Sequence, residues 1–256
     1  MWCATRRFSG WLVVTSLVAW LLLAFCWSDV TIPALCSAGL RTPLSDSFSL
    51  AFVLDSPMQL AWGWLLMLAA MTPPLIAAPL RHVRERSFAH RRARAMSLFV
   101  IGYGAVWTIA GVGLQLVALA AQLASSDARM GLALSASAAT LWQVSPAKQW
   151  CLNRCHRRPQ LAAFGAPADR AAFDFGLTHG AACVGACWAL MLLPLFAGQA
   201  HVLTMLAVML FAFAERLEHA APLAWRWRGP GKALRIIAVQ ARMHLAPRAI
   251  IRESSH

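Results

Sequence analysis

The chain has 256 residues, 59% of them hydrophobic and only 13% charged, with a mean hydropathy of +0.58 and a formal net charge of +13. That apolar share excludes an ordinary soluble domain, and uncharged runs of about 18 or more residues mark membrane-spanning helices. The composition specifies an all-α, polytopic membrane helix bundle.

Charge-free apolar runs predict six transmembrane helices, at about 10–27, 58–80, 96–123, 129–145, 175–198 and 200–217. The first follows Arg6 and Arg7, as a signal peptide would. No convincing small-x-small cleavage site comes after it beyond "CSA" at 36–38, so it reads as a retained helix. The fourth is the shortest, with an uninterrupted apolar stretch from Met130 to Trp142. Its small residues suit close packing, and Pro146 bends its inner end. Together these features predict a helix inside the bundle.

Orientation follows from the basic residues. Two lie at the N-terminus, six in the 81–94 loop, five in the 146–174 loop and eight from Arg216 onward, which places 21 of 23 on one side. Only Arg41 and Arg129 fall on the other. Six crossings with both termini cytoplasmic produce this split, so the expected location is the cell inner (cytoplasmic) membrane, multi-pass. The net charge is then mostly topology. The basic stretch "RHVRERSFAHRRAR" at 81–94 reads as a loop held against anionic lipid, with no nucleic-acid partner.

The chain divides accordingly into three parts. Residues 1–57 hold the first helix and an extracytoplasmic loop, where Cys36 is placed to pair with Cys26 in an oxidising compartment. Residues 58–219 form a five-helix membrane domain. Residues 220–256 form a basic tail with helical periodicity, expected to lie along the inner leaflet.

The chemistry lies in two thiol groups on either side of one cytoplasmic loop. "QVSPAKQWCLNRCHRRP" carries Cys151 and Cys155 four apart, followed by His156. "THGAACVGACWALM" carries His179, Cys183 and Cys187, one every fourth residue. Side chains at i and i+4 share a helix face about 5–6 Å apart at Cβ, wide for an unstrained disulfide but suited to thiolates on one metal. Thiolate and imidazole ligands select a soft ion, Cu(I) or Zn(II), over Mg or Ca. Met67 with Met71 and Met205 with Met209 repeat the spacing, but methionine is a routine core filler. Glu215, near the inner end of the last helix, is placed to pair with Lys148 or Arg216. His201 reads as interfacial. Lys148, Glu215 and His156 are the expected supporting residues.

"AWGWLLMLAAMTPP" (61–74), "LFVIGYGAVW" (98–107), "QVSPAKQWCLNRC" (143–155), "HGAACVGACWALM" (179–191) and "AERLE" (214–218) resemble the predicted metal-binding integral membrane proteins of domain of unknown function 2182. The resemblance runs from about 58 to 218 and implies a metal site without an established reaction. The family pattern has two adjacent cysteines before the tryptophan; here the first is Ala186, leaving Cys187 alone.

The expected function is therefore metal handling: receipt, storage or hand-over of a soft ion. The expected partners are the bilayer and a soluble metal donor or acceptor, or a larger membrane complex. No enzymatic step is expected. A membrane dithiol oxidoreductase is the alternative, disfavoured by the absence of a C-x-x-C motif and by the reducing compartment. A non-enzymatic assembly subunit is another. Depth orders the ligands. With Phe175 at the cytoplasmic face, a rise of about 1.5 Å per residue puts His179, Cys183 and Cys187 roughly 6, 12 and 18 Å in. The primary site is then Cys151, Cys155, His179 and Cys183, with Cys187 deeper and secondary. One ion can reach them all only if the Cys151–Cys155 segment folds back into the bundle.

Overall fold

The computed structural model describes residues 2–28, 57–124 and 128–227, together with positions 231, 235, 238, 239 and 242. Among these residues it holds seven α-helices: α1 (Trp2–Ser28), α2 (Pro57–Arg86), α3 (Arg92–Ala124), α4 (Ala128–Val144), α5 (Pro146–Cys155), α6 (Gly165–Phe196) and α7 (His201–Arg216). Three segments are long and apolar enough to cross a membrane, namely Trp62–Arg86, Ala89–Ala121 and Gly165–Phe196, and Gly10–Ala24 is a shorter apolar helix. Cys36, the side chain of Cys26 and most of the basic tail lie outside the described residues.

The central contact is between α3 and α6, and small residues make it close. A Cβ on Gly176 would strike the carbonyl of Phe99, and one on Gly102 would stand 2.6 Å from the carbonyl oxygen of Phe173. One turn after Gly176, a Cβ on Gly180 would lie 3.1 Å from Val106. This Gly-x-x-x-Gly spacing lets two backbones approach where side chains would hold them apart. The aromatic residues of α3 are thereby brought against the polar stripe of α6. At the periphery α1 packs on α2, where Ser16 donates to the carbonyl of Ala70 at 2.6 Å.

Several helix edges differ from the sequence reading. The helix begun near 58 does not end at 80 but continues through Arg86, so the 81–94 loop shrinks to a short turn containing the 3₁₀ segment Ala89–Arg91. Arginine is a good helix former, and charge marks where a bilayer ends rather than where a helix ends. Similarly, α6 begins at Gly165, ten residues before the expected Phe175. Asp169 ties this early turn to the 3₁₀ segment through Arg91 at 2.6 Å and to α3 through Arg94 at 2.7 Å.

The fourth helix is also not enclosed. Gly131, Ser135, Ala139 and Gln143 form one buried stripe, while Leu132, Leu134 and Leu141 are exposed, the last at 68%. Its small residues serve that single contact face: Gly131 lies under the ring of Phe196. His201, at the start of α7, is buried, with Nδ1 donating to the Pro194 carbonyl at 2.8 Å.

Candidate metal centre

On α6 the predicted stripe is buried along its length: His179 is 2% exposed, Cys183 0% and Cys187 2%. Its polar atoms find few partners inside the helix. Cys187 donates its thiol to the Cys183 carbonyl at 3.0 Å. The Tyr103 hydroxyl lies 3.1 Å from the Cys183 sulfur. His179 sits in an aromatic box, with ring centroids 5.8 Å from Phe175, 6.0 Å from Phe99 and 6.1 Å from Tyr103. Neither of its ring nitrogens has a hydrogen-bond partner among the described residues. Burying a polar group unpaired costs about 1–3 kcal/mol, and native structures rarely leave one so.

The second thiol pair reaches this stripe because α5 turns back. Ser145 caps α5 by accepting from the Lys148 backbone N–H at 3.2 Å, and Pro146 occupies the first turn, where a missing N–H costs nothing. The bend lays α5 along α6. Cys151 occupies the notch above Gly185, its sulfur 2.5 Å from where a Cβ would stand, and it packs with Leu152 and Ala186. Trp142 donates to the Gly185 carbonyl at 2.9 Å. Gly185 lies ten residues beyond Phe175, or about 15 Å along the helix. The segment therefore meets α6 well along its length.

Cys155 is buried as well. Burial pushes its thiol up to about 12, opposed by the Arg216 guanidinium and reinforced by the neighbouring Cys183 and Cys151. Burial also raises Cys151, against the pull of Arg154. All four cysteines are free thiols. Cys155, Cys183 and Cys187 are each buried, as is Tyr103, whose hydroxyl meets Cys183, while Cys151 seats at Gly185.

The supporting residues take separate places. Lys148, fully buried, pairs with Glu215 at 2.8 Å and also donates to the Gln143 side-chain carbonyl. Gln143 in turn donates to Glu215 at 2.5 Å. This network clamps α4, α5 and α7 together; of the two partners open to Glu215, the structure uses Lys148. His156 is held by backbone, its Nδ1 2.8 Å from the Leu152 carbonyl and its Nε2 3.2 Å from that of Arg216.

Among the described residues, no three His, Cys, Asp or Glu side chains stand close enough to hold a metal ion as they are placed. A structural Zn(II) site asks for four such ligands, whereas a pair of thiolates already suits Cu(I). The donor types present, buried thiols on the same helix stripe as an unpartnered imidazole, suit the softer ion. Sequence reasoning missed Tyr103 and Arg216. Tyr103 had a signal, being the single tyrosine of the chain and lying within "LFVIGYGAVW". Arg216 had one as well, lying within "AERLE", but it read as a topology charge or a partner for Glu215.

No curated protein and no solved structure matches the chain. A family model described as PpoB2, copper chaperone, matches residues 61–239, a stretch that contains both thiol pairs, His179, Tyr103 and Arg216. Covering well over half of the sequence, that match makes the chain a member of the copper chaperone family.

Proposed function

We propose that this protein is a membrane-embedded Cu(I) carrier that takes the ion at Cys155, Cys183, Cys187 and His179 and hands it to a partner. Cys151, seated at Gly185 about 15 Å along α6, is an additional ligand beside that set. The observation that carries the reading is His179, buried with both ring nitrogens unpartnered, one helical turn from the buried thiol of Cys183. An imidazole in that position gains a ligand bond without giving up a hydrogen bond. No reaction is required of the site, in keeping with a chaperone rather than an enzyme.

The six-span arrangement supports hand-over on the cytoplasmic side. With both termini cytoplasmic in the inner membrane, α5 and the turn that follows it face the basic side. Residues 58–219 form the carrier unit, residues 1–57 an added helix and loop, and residues 220–256 a lipid-facing tail. The domain of unknown function named above is then the same carrier unit. The test is copper per chain in protein purified without chelator from copper-supplemented cells. Wild type retains copper and His179→Ala retains markedly less; equal content in the two removes His179 from the site.

A further inference from the structure

A cavity of about 10 Å³ opens between α2, α3 and α6, lined in part by Met67, Met71, Thr72, Tyr103, Trp107 and Met191. Three thioethers from two helices thus converge on one void. Met67 and Met71 stand four apart on α2 and share a face. Met191 extends the α6 series of His179, Cys183 and Cys187 by one more step of four. Met71 and Met191 are buried, at 3% and 5% exposure.

The cavity is joined to the thiols by one residue. The Tyr103 ring walls the void, while its hydroxyl lies 3.1 Å from the Cys183 sulfur. The room is about that of one water-sized sphere, but a buried water wants about three hydrogen bonds, and this lining offers few polar atoms. Thioethers are neutral and soft, so they suit Cu(I) over Mg and Ca. The faces of Trp107 and Tyr103 add attraction for a cation without adding a charge.

We propose that Met67, Met71 and Met191 form a second, thioether site for Cu(I), one helical turn beyond Cys187, which exchanges the ion with the thiol cluster past Tyr103. The inference rests on the copper reading above and extends it: the α6 stripe becomes a path of about 18 Å from His179 to Met191. Neutral ligands hold a cation more weakly than thiolates, so the thiols fill first and the thioethers take a second equivalent.

The test uses full-length protein labelled with selenomethionine, loaded anaerobically with Cu(I) and read at the selenium X-ray absorption edge. Copper backscattering from selenium is expected once the second equivalent is added. It should persist in Cys183→Ser/Cys187→Ser and vanish in Met67→Leu/Met71→Leu/Met191→Leu. Leucine conserves methionine's volume, and retention of the first, sulfur-bound equivalent reports that this variant is folded. Absence of the selenium signal while the first equivalent is held by thiols overturns the thioether site and leaves the thiol reading intact. A signal that survives the triple substitution places copper on other methionines and also overturns it. Protein that binds no Cu(I) at all overturns both readings.

Discussion

The hydroxyl of Tyr103 lies 3.1 Å from the sulfur of Cys183, pairing the chain's single tyrosine with a fully buried thiol. The pair spans α3 and α6, and the Gly176–Gly180 crossing sets their spacing. If Cys183 ligates Cu(I) as proposed, it must do so as a thiolate, and the phenol would then donate to it. A hydrogen bond to a charged group contributes about 1.5–3 kcal/mol. Tyr103→Phe should therefore fold normally and bind Cu(I) about tenfold or more weakly in a chelator competition. Unchanged affinity would make Tyr103 a packing residue only.

The Lys148–Glu215 pair gives a stability prediction. Removing one partner leaves the other charge buried and uncompensated, at a cost of about 3–5 kcal/mol, whereas replacing both with apolar residues is often near neutral. In detergent, Glu215→Leu should lower the melting temperature sharply, and Lys148→Met/Glu215→Leu should recover most of the loss. If the double variant melts as low as the single, the pair is not what clamps α5 to α7.

Two glycines on α6 should respond differently to alanine. At Gly176 the new methyl meets the Phe99 backbone, which cannot move alone, so Gly176→Ala should destabilise the bundle. At Gly185 it meets only the Cys151 sulfur, which can rotate away. Gly185→Ala should keep the melting temperature and make Cys151 more reactive to maleimide. Equal loss of stability in both would contradict this division.

How much of this was legible in the sequence differs between fold and site. The helical class and the α6 stripe were readable because apolar runs and four-residue spacing act locally. The spacing tells which residues share a face, but not what that face meets. The return of α5 onto Gly185 depends on a bend at Ser145 and Pro146 whose direction tertiary packing decides. Tyr103 enters the site through the crossing of two helices far apart in sequence. Met67 and Met71 read as filler because nothing in the sequence places Met191 beside them, as the cavity does.

Thiol reactivity supplies a pH prediction. Burial holds the Cys155 thiol up at about 12, so at neutral pH it is protonated and poorly nucleophilic. Its maleimide labelling in the metal-free protein should be slow at pH 7 and rise about tenfold per pH unit towards that value. Because a ligating cysteine must lose its proton, Cu(I) uptake at Cys155 should release a proton and strengthen as pH rises. Fast labelling independent of pH would show Cys155 outside the buried cluster.

The central claim, that buried thiols and His179 hold Cu(I), is tested most directly at the copper X-ray absorption edge, using purified protein carrying its first equivalent. The account predicts a sulfur-dominated shell with a histidine contribution that disappears in His179→Ala, and loss of most copper in Cys155→Ser/Cys183→Ser. Equal copper content and an unchanged spectrum in that double variant would mean that these thiols only pack the bundle.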